Sequence, residues 1–239
     1  MTKGNGHRNK QPQMDLKKQA AQKAVSLVGD NSTIGIGAGS TMAHVVYFLK
    51  EAIQKGLHVQ VATSSFNTRQ LLFANGLQVL NTADISTLDI YFDGCDQFDK
   101  NLNALKSGGG IHTQEKLLAT MAKQFIIVGD EAKYSETLQT KYPVVIEVLP
   151  QALSFVPTAV AAAFSGTKTV LRTDGKKDGA VFTENGNLLF DVWFTEWPLL
   201  STINSSFKAI PGIVETSLFY NLAVKAIIAG KEGITVMEK

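Results

Sequence analysis

The chain has 239 residues, 44% of them apolar and 18% charged, values that suit a soluble globular protein with a sizeable buried core. A formal net charge of +2, with its basic residues scattered rather than gathered in a stripe, argues against a nucleic-acid surface. One cysteine, Cys95, permits no internal disulfide, and no apolar run reaches the roughly 18–20 residues of a membrane helix, so a cytosolic protein with no membrane partner is expected.

Residues 1–13 are polar and basic, lack the apolar centre of a signal peptide, and are expected to form a disordered tail. Over residues 14–28, Leu16, Ala20, Ala24 and Leu27 recur at helical spacing. Asp30-Asn31-Ser32 breaks that pattern, and residues 33–37 read as a short buried strand. A helix follows, with Met42, Val45, Val46 and Leu49 on one face. The rhythm repeats: strand at 58–62, helix at 67–73, strands at 78–80 and 89–92, helix at 114–123, strand at 125–128. Alternation of this kind predicts an α/β fold with a doubly wound, mostly parallel sheet. Ligands of such sheets sit beyond the carboxyl ends of the strands, which puts the loops after Ile36, Ala62, Phe92 and Val128 on one edge. The rhythm changes after about residue 130. A strand at 144–148, a helix at 151–164, a meander through 169–172, 181–183 and 188–193 with a turn at 184–187, a helix at 199–207 and a strand at 214–219 predict a compact α+β module. Segments 226–229 and 234–237 read as a return to the main sheet.

Three loops on the ligand edge carry polar chemistry. The first, GIGAGST at 35–41, lets backbone approach a ligand and aims free N–H groups of a helix start at an anion, with Ser40 and Thr41 adding hydroxyls. It is neither a dinucleotide fingerprint, which needs glycine where Ser40 stands, nor a Walker A loop, and its structural alternative is a tight turn that binds nothing. The second, 63–68, is dense in hydroxyls, and helix capping accounts for it. The third is the most specific. Asp93-Gly94-Cys95-Asp96 follows a strand; Lys106 and Ser107 then lead into Gly108-Gly109-Gly110, and Glu115 opens a helix. Taken singly, these residues are explained as a turn former, surface charges and a helix-start acid. Together on one sheet edge they supply acceptors, a cation and a general base. As an acid near a helix start, Glu115 is expected to stay ionised. Cys95 between two carboxylates is not expected to form a thiolate. His44 is read as a packed residue and His112 as a neighbour of the glycine loop. No His, Cys and carboxylate set has metal-ligand spacing, so neither metal nor cofactor is expected.

These residues resemble the type A ribose-5-phosphate isomerase family over nearly the whole chain. The matching stretches are GIGAGST at 35–41, ATSS at 62–65, DGCDQFD at 93–99, KSGGG at 106–110, EKLLA from Glu115, VGDEAK ending at Lys133, and AIPGIVETSLF at 209–219. The resemblance implies a Rossmann-like catalytic domain (14–136 and 213–239) with a smaller ferredoxin-like α+β lid or oligomerisation domain (137–212), assembled as a homodimer or homotetramer. It implies a sugar-phosphate substrate, with D-ribose 5-phosphate and D-ribulose 5-phosphate interconverted through an enediolate in the non-oxidative pentose phosphate pathway. Glu115 is then the base, Asp93 assists ring opening or proton movement at the hydroxyls, Asp96 holds hydroxyls, and Lys106 stabilises charge on oxygen. Ala38, Gly39, Ser40, Thr41, Gly94, Cys95, Ser107, Gly108, Gly109 and Lys133 hold substrate, the 38–41 loop and Lys133 taking its phosphate. Familiar members carry Thr, Ala, Glu and Gly where Ala38, Cys95, Gln97 and Ser107 stand. Two rival readings are a sugar-phosphate sensor without catalysis, which would lose the base, and acyl-CoA transfer on a similar scaffold.

Overall fold

A computed structural model describes residues 15–175 and 178–239, so the predicted tail lies outside the described residues. Helix α1 (Leu16–Val25) starts where the Asp15 carboxylate accepts the Lys17 N–H at 2.9 Å, and it buries Ala20, Ala21, Ala24 and Val25. Strand β1 (Ser32–Ile36) leads through Gly37 and Gly39 into α2 (Ser40–Gln54). Gly39 adopts φ +99°, which a side chain would resist, and so turns the chain straight from sheet edge to helix start. Next come β2 (Val59–Thr63), α3 (Phe66–Ala74) and β3 (Leu88–Asp93). A flap of two short strands, β4 (Gln97–Phe98) and β5 (Ala104–Leu105), precedes α4 (His112–Met121) and β6 (Ala122–Asp130).

The chain then builds β7 (Val144–Val148), α5 (Phe155–Ala163), β8 (Lys168–Leu171), β9 (Leu188–Trp193), α6 (Leu200–Lys208) and β10 (Ile213–Thr216). These form an antiparallel sheet in the order β10-β7-β9-β8, the ferredoxin-like βαββαβ arrangement. Its core joins Ile146, Val148 and Phe190 of the sheet to Val156 and Val160 of α5 and Ile203 and Phe207 of α6. Strand β11 (Leu218–Phe219) pairs with β5, and β12 (Lys225–Gly230) with β13 (Gly233–Glu238) completes the main sheet. That sheet runs β13-β12-β6-β3-β1-β2, parallel throughout except for the antiparallel edge strand β13.

Strand alternation divides the main core. Ile90, Phe92, Ile126, Val128 and Ile227 face α1 and α2, while Tyr91, Phe125, Ile127 and Ile228 face α4 and the flap. Each large side chain so buried contributes about 1.5–3 kcal/mol. Since Asp93 follows Tyr91 by two residues, the same alternation turns its carboxylate toward the α4 side, at the carboxyl end of β3.

Four elements differ from expectation. Residues 78–80 form no strand, although the Leu80 N–H donates to the Val61 carbonyl at 2.8 Å. The strand expected at 181–183 is reduced to a bridge between Phe182 and Leu188. The helix expected at 151–164 is a 3-10 turn at Pro150–Ala152 followed by α5. The strand expected at 214–219 is divided at Ser217, whose hydroxyl accepts the Val145 N–H (2.8 Å) while its carbonyl accepts the Lys106 N–H (3.0 Å), tying the two sheets together. The chain thus stays with the small sheet through Thr216, beyond the expected boundary at residue 213.

Candidate active site

Asp93 is fully buried at the end of β3, and its carboxylate is held from every side. The N–H groups of Ala38 (3.1 Å) and Gly94 (2.8 Å) donate to Oδ1, and the Tyr91 hydroxyl donates to Oδ2 (2.7 Å). A Cβ on Gly37 would lie 2.0 Å from Oδ1, so the first loop needs glycine there to admit the carboxylate. The Lys106 ammonium sits 2.9 Å from Asp93 Oδ2 and 3.3 Å from Glu115 Oε1, and donates to the Gly94 carbonyl at 2.6 Å. Three of the four predicted charged residues therefore form one cluster. The fourth, Asp96, stands at the rim, where its Oδ2 accepts the Gly108 N–H at 2.8 Å.

The cluster is buried: Lys106 is 7% exposed and Glu115 4%. Burial pushes the Glu115 carboxyl up to about 8, against the pull of the Lys106 ammonium and with added repulsion from Asp93. This corrects the expectation that a helix-start acid simply stays ionised, because a macrodipole effect of about 0.3–1 kcal/mol is outweighed by desolvation. Burial also works against the Lys106 charge, but Asp93 and Glu115 prevail and hold it well above the usual lysine range. Burial and the nearby Asp93 charge raise the Tyr91 phenol, keeping it a donor. Cys95 is pushed up to about 12, chiefly by burial, and stays a thiol, as its setting between acids suggests.

Above the cluster opens a cleft of about 360 Å³. Ala38, Gly39, Ser40 and Thr41 form one wall, Gly94, Cys95 and Asp96 another, and Lys106, Gly109, Glu115 and Lys133 complete the predicted lining. Three predicted residues lie beneath or beside it. Asp93 is under the floor, the Ser107 hydroxyl turns away to donate to the Pro143 carbonyl (2.6 Å), and Gly108 is engaged with Asp96. Lys17 and Asp130 line the cleft and escaped the sequence reading. Lys17 donates to Ser40 Oγ at 3.0 Å. Its only sequence signal is a cation in the first turn of a helix, where the macrodipole disfavours one. The 63–68 loop caps α3, as expected, through Ser65 Oγ and the Thr68 N–H (3.2 Å). It also supports the site: Thr68 Oγ1 donates to the Gly37 carbonyl (2.7 Å), and Ser64 Oγ lies 3.0 Å from the Tyr91 hydroxyl.

His112, fully buried at the start of α4, lies with Nε2 3.3 Å from the Glu215 carbonyl. Burial first, then the Lys116 charge, lowers its pKa to about 4. Between pH 6.5 and 4 the unfolded chain therefore binds a proton that the folded chain refuses, so the contribution of this residue to stability is full above about 6.5 and is lost as pH drops toward 4. The expected loss from this residue is about 3 kcal/mol. Urea midpoints measured from pH 7 to 4 should fall less steeply in His112→Gln than in the wild type; equal slopes would remove His112 as the source.

The sequence model of the ribose 5-phosphate isomerase A (phosphoriboisomerase A) family matches residues 60–233. The chain is similar to the ribose-5-phosphate isomerase A of Thermosynechococcus vestitus, with 36% identity over 210 residues, covering 87% of this chain and 88% of that one. Similarity to the human ribose-5-phosphate isomerase is 36% over 229 residues, covering 94% of this chain and 73% of that protein. The solved ribose 5-phosphate isomerase A of Methanocaldococcus jannaschii superposes with a TM-score of 0.87 at 32% identity, covering 94% and 99% of the two chains. A D-ribose-5-phosphate isomerase in complex with phospho-erythronic acid superposes at 0.88 with 31% identity, covering 94% and 98%.

Proposed function

The chain belongs to the ribose 5-phosphate isomerase A family and is an aldose–ketose isomerase, and from that premise we propose how its residues divide the interconversion of D-ribose 5-phosphate and D-ribulose 5-phosphate. Glu115 removes the proton from C2 of the open-chain aldose and returns it to C1 of the enediolate. Lys106 stabilises the negative charge that gathers on the substrate oxygen as that proton leaves. From under the floor Asp93 acts on ring opening or on proton movement at the hydroxyls through Lys106, whose ammonium it holds at 2.9 Å, and Asp96 holds other hydroxyls at the rim. The observation that carries this reading is the Lys106 ammonium, 2.9 Å from Asp93 and 3.3 Å from Glu115 on the floor of a cleft. A carbon acid as weak as a sugar needs both a base and a cation for the oxygen, and here they touch. The sensor reading would require the base to be missing, and no feature of the site favours acyl-CoA transfer.

The phosphate is assigned to the wall formed by the start of α2, where Ser40 and Thr41 offer N–H groups and hydroxyls and Lys17 and Lys133 line the same cleft. Anchoring it there orients the reacting carbons over Glu115. We also assign residues 14–136 with the strands after Thr216 to catalysis and 137–216 to a lid or oligomerisation role. A homodimer or homotetramer is supported by the exposed Leu149, Leu153, Phe155 and Leu199 of the small module. No helix among the described residues is long and apolar enough to cross a membrane. A cytoplasmic location belongs to the same reading and is supported by the free thiol of Cys95.

The test is a ketose-formation assay with ribose 5-phosphate. Wild type is expected to turn over, and Lys17→Met to raise KM about tenfold with kcat within a factor of three, the signature of lost uniform binding. Binding without turnover by the wild type would restore the sensor reading. An unchanged KM in the variant would take the phosphate away from that wall.

A further inference from the structure

Helix α4 carries the proposed base but has no local device to hold its start. Ile111 at its N-cap makes no side-chain capping bond, and the three glycines 108–110 precede it. Its first turn is instead fixed from the ferredoxin-like module. Thr113 Oγ1 donates to Glu147 of β7, Gln114 Nε2 donates to Asn185 Oδ1 (2.9 Å), and Lys116 Nζ donates to Glu215 Oε1 (2.8 Å). Within this turn only Glu115 lines the cleft.

Glu147 is the unusual member of this set. It is 1% exposed, yet among the described residues none of its polar partners is a cation. Neutral donors surround it: Thr113 on one oxygen, and Thr183 (2.9 Å), Asn185 (2.9 Å) and Asn187 (2.7 Å) on the other. A buried carboxylate is costly unless such donors satisfy it, and an acceptor-only group is what this ring of donors requires. A contact two residues from Glu115 that binds a helix start to a separate sheet sets where that helix stands.

We propose that the Thr113–Glu147 hydrogen bond is a positioning contact for the isomerisation, through which the ferredoxin-like module fixes Glu115 against Lys106. The proposal rests on Glu115 being the base. Neither Thr113 nor Glu147 lines the cleft, so their loss should act on the chemical step rather than on binding. Misplacement of a reacting group by about 1 Å can cost roughly a hundredfold in rate.

The experiment compares Thr113→Val, which keeps the shape and removes the hydroxyl, with Thr113→Ser, which restores it, in steady-state assays on ribose 5-phosphate. Expected is a kcat lowered about tenfold or more in the valine variant with KM within twofold, and recovery of most of that loss by serine. Thr113 is only partly buried, so the valine variant is expected to fold and decides the matter. A folded Thr113→Val with wild-type kcat, a change in KM alone, or a serine variant as impaired as valine would overturn the proposal. Failure of the premise reads differently: Glu115→Gln would then keep wild-type turnover, whatever Thr113→Val does.

Discussion

Glu115→Gln is expected to lower kcat for ribose 5-phosphate isomerisation by about 10²–10⁴, the range that a positioned general base contributes. The amide has nearly the same shape and still faces Lys106 at the place of Oε1, 3.3 Å away, so substrate binding and KM should change little. What it lacks is a lone pair basic enough to take the C2 proton. The structure adds a pH signature. Burial raises the Glu115 carboxyl to about 8, so in the wild type kcat/KM should climb with pH and level off above that value as the base is unmasked. The stability consequence has the opposite sense to activity. A carboxyl raised in the folded state binds a proton that the unfolded chain has already lost, so folding weakens as pH rises from about 4.5 to 8. Glu115→Gln removes that penalty and should gain stability relative to wild type across this interval, the usual exchange of stability for function at an active site. Parallel pH series of kcat/KM and urea midpoints test both halves. A variant within tenfold of wild-type kcat, or with the same midpoint slope, would remove Glu115 from the role.

Much of this site was readable from residue order because its parts lie at strand ends. Alternating strands and helices put residues 35–41, Asp93 and the start of Glu115's helix on one edge, and the change of rhythm after residue 130 marked a compact α+β module, whose ferredoxin-like order came only with the family resemblance. Short-range pattern could not carry the rest. Strands β4 and β5 are two residues each and show no periodicity, and residues 78–80 have strand composition but make one ladder bond instead of a ladder. Lys17 reaches the cleft from the first helix across 23 positions to Ser40, a juxtaposition that only packing creates. Ser107 is expected at the substrate through the resemblance of its KSGGG stretch, whereas in the fold its hydroxyl donates to the Pro143 carbonyl. The protonation of Glu115 was misjudged for a related reason: the macrodipole is visible in sequence, whereas burial to 4% is a property of the finished fold.

Lys106→Met is the second large effect, and it acts on rate and fold together. Among the described residues the ammonium is the one cation against Asp93 and Glu115, and its removal leaves two buried carboxyls facing each other without compensation. Removing one partner of a buried ion pair typically costs about 3–5 kcal/mol. Here part of that loss is avoidable, because Glu115 can keep its proton, and Asp93 retains the N–H groups of Ala38 and Gly94 and the Tyr91 hydroxyl. The destabilisation should therefore be small near pH 6 and grow toward pH 9, since ionising Glu115 beside Asp93 becomes the costly step. The sign follows from linkage: with Lys106 gone the folded Glu115 pKa rises further above its unfolded value, and stability is lost as pH rises through that wider window. Catalysis should fail at every pH. Loss of the cation that meets charge on the substrate oxygen costs about 10²–10³ in kcat, and a base that resists ionising costs more. Raising the pH, which rescues an enzyme whose base is merely protonated, should here unfold the protein before activity returns. Urea midpoints at pH 6 and 9 with kcat at both values decide it: equal destabilisation at the two pH values, or kcat within tenfold of wild type, would mean that Lys106 neither holds the two carboxyls nor meets the developing charge.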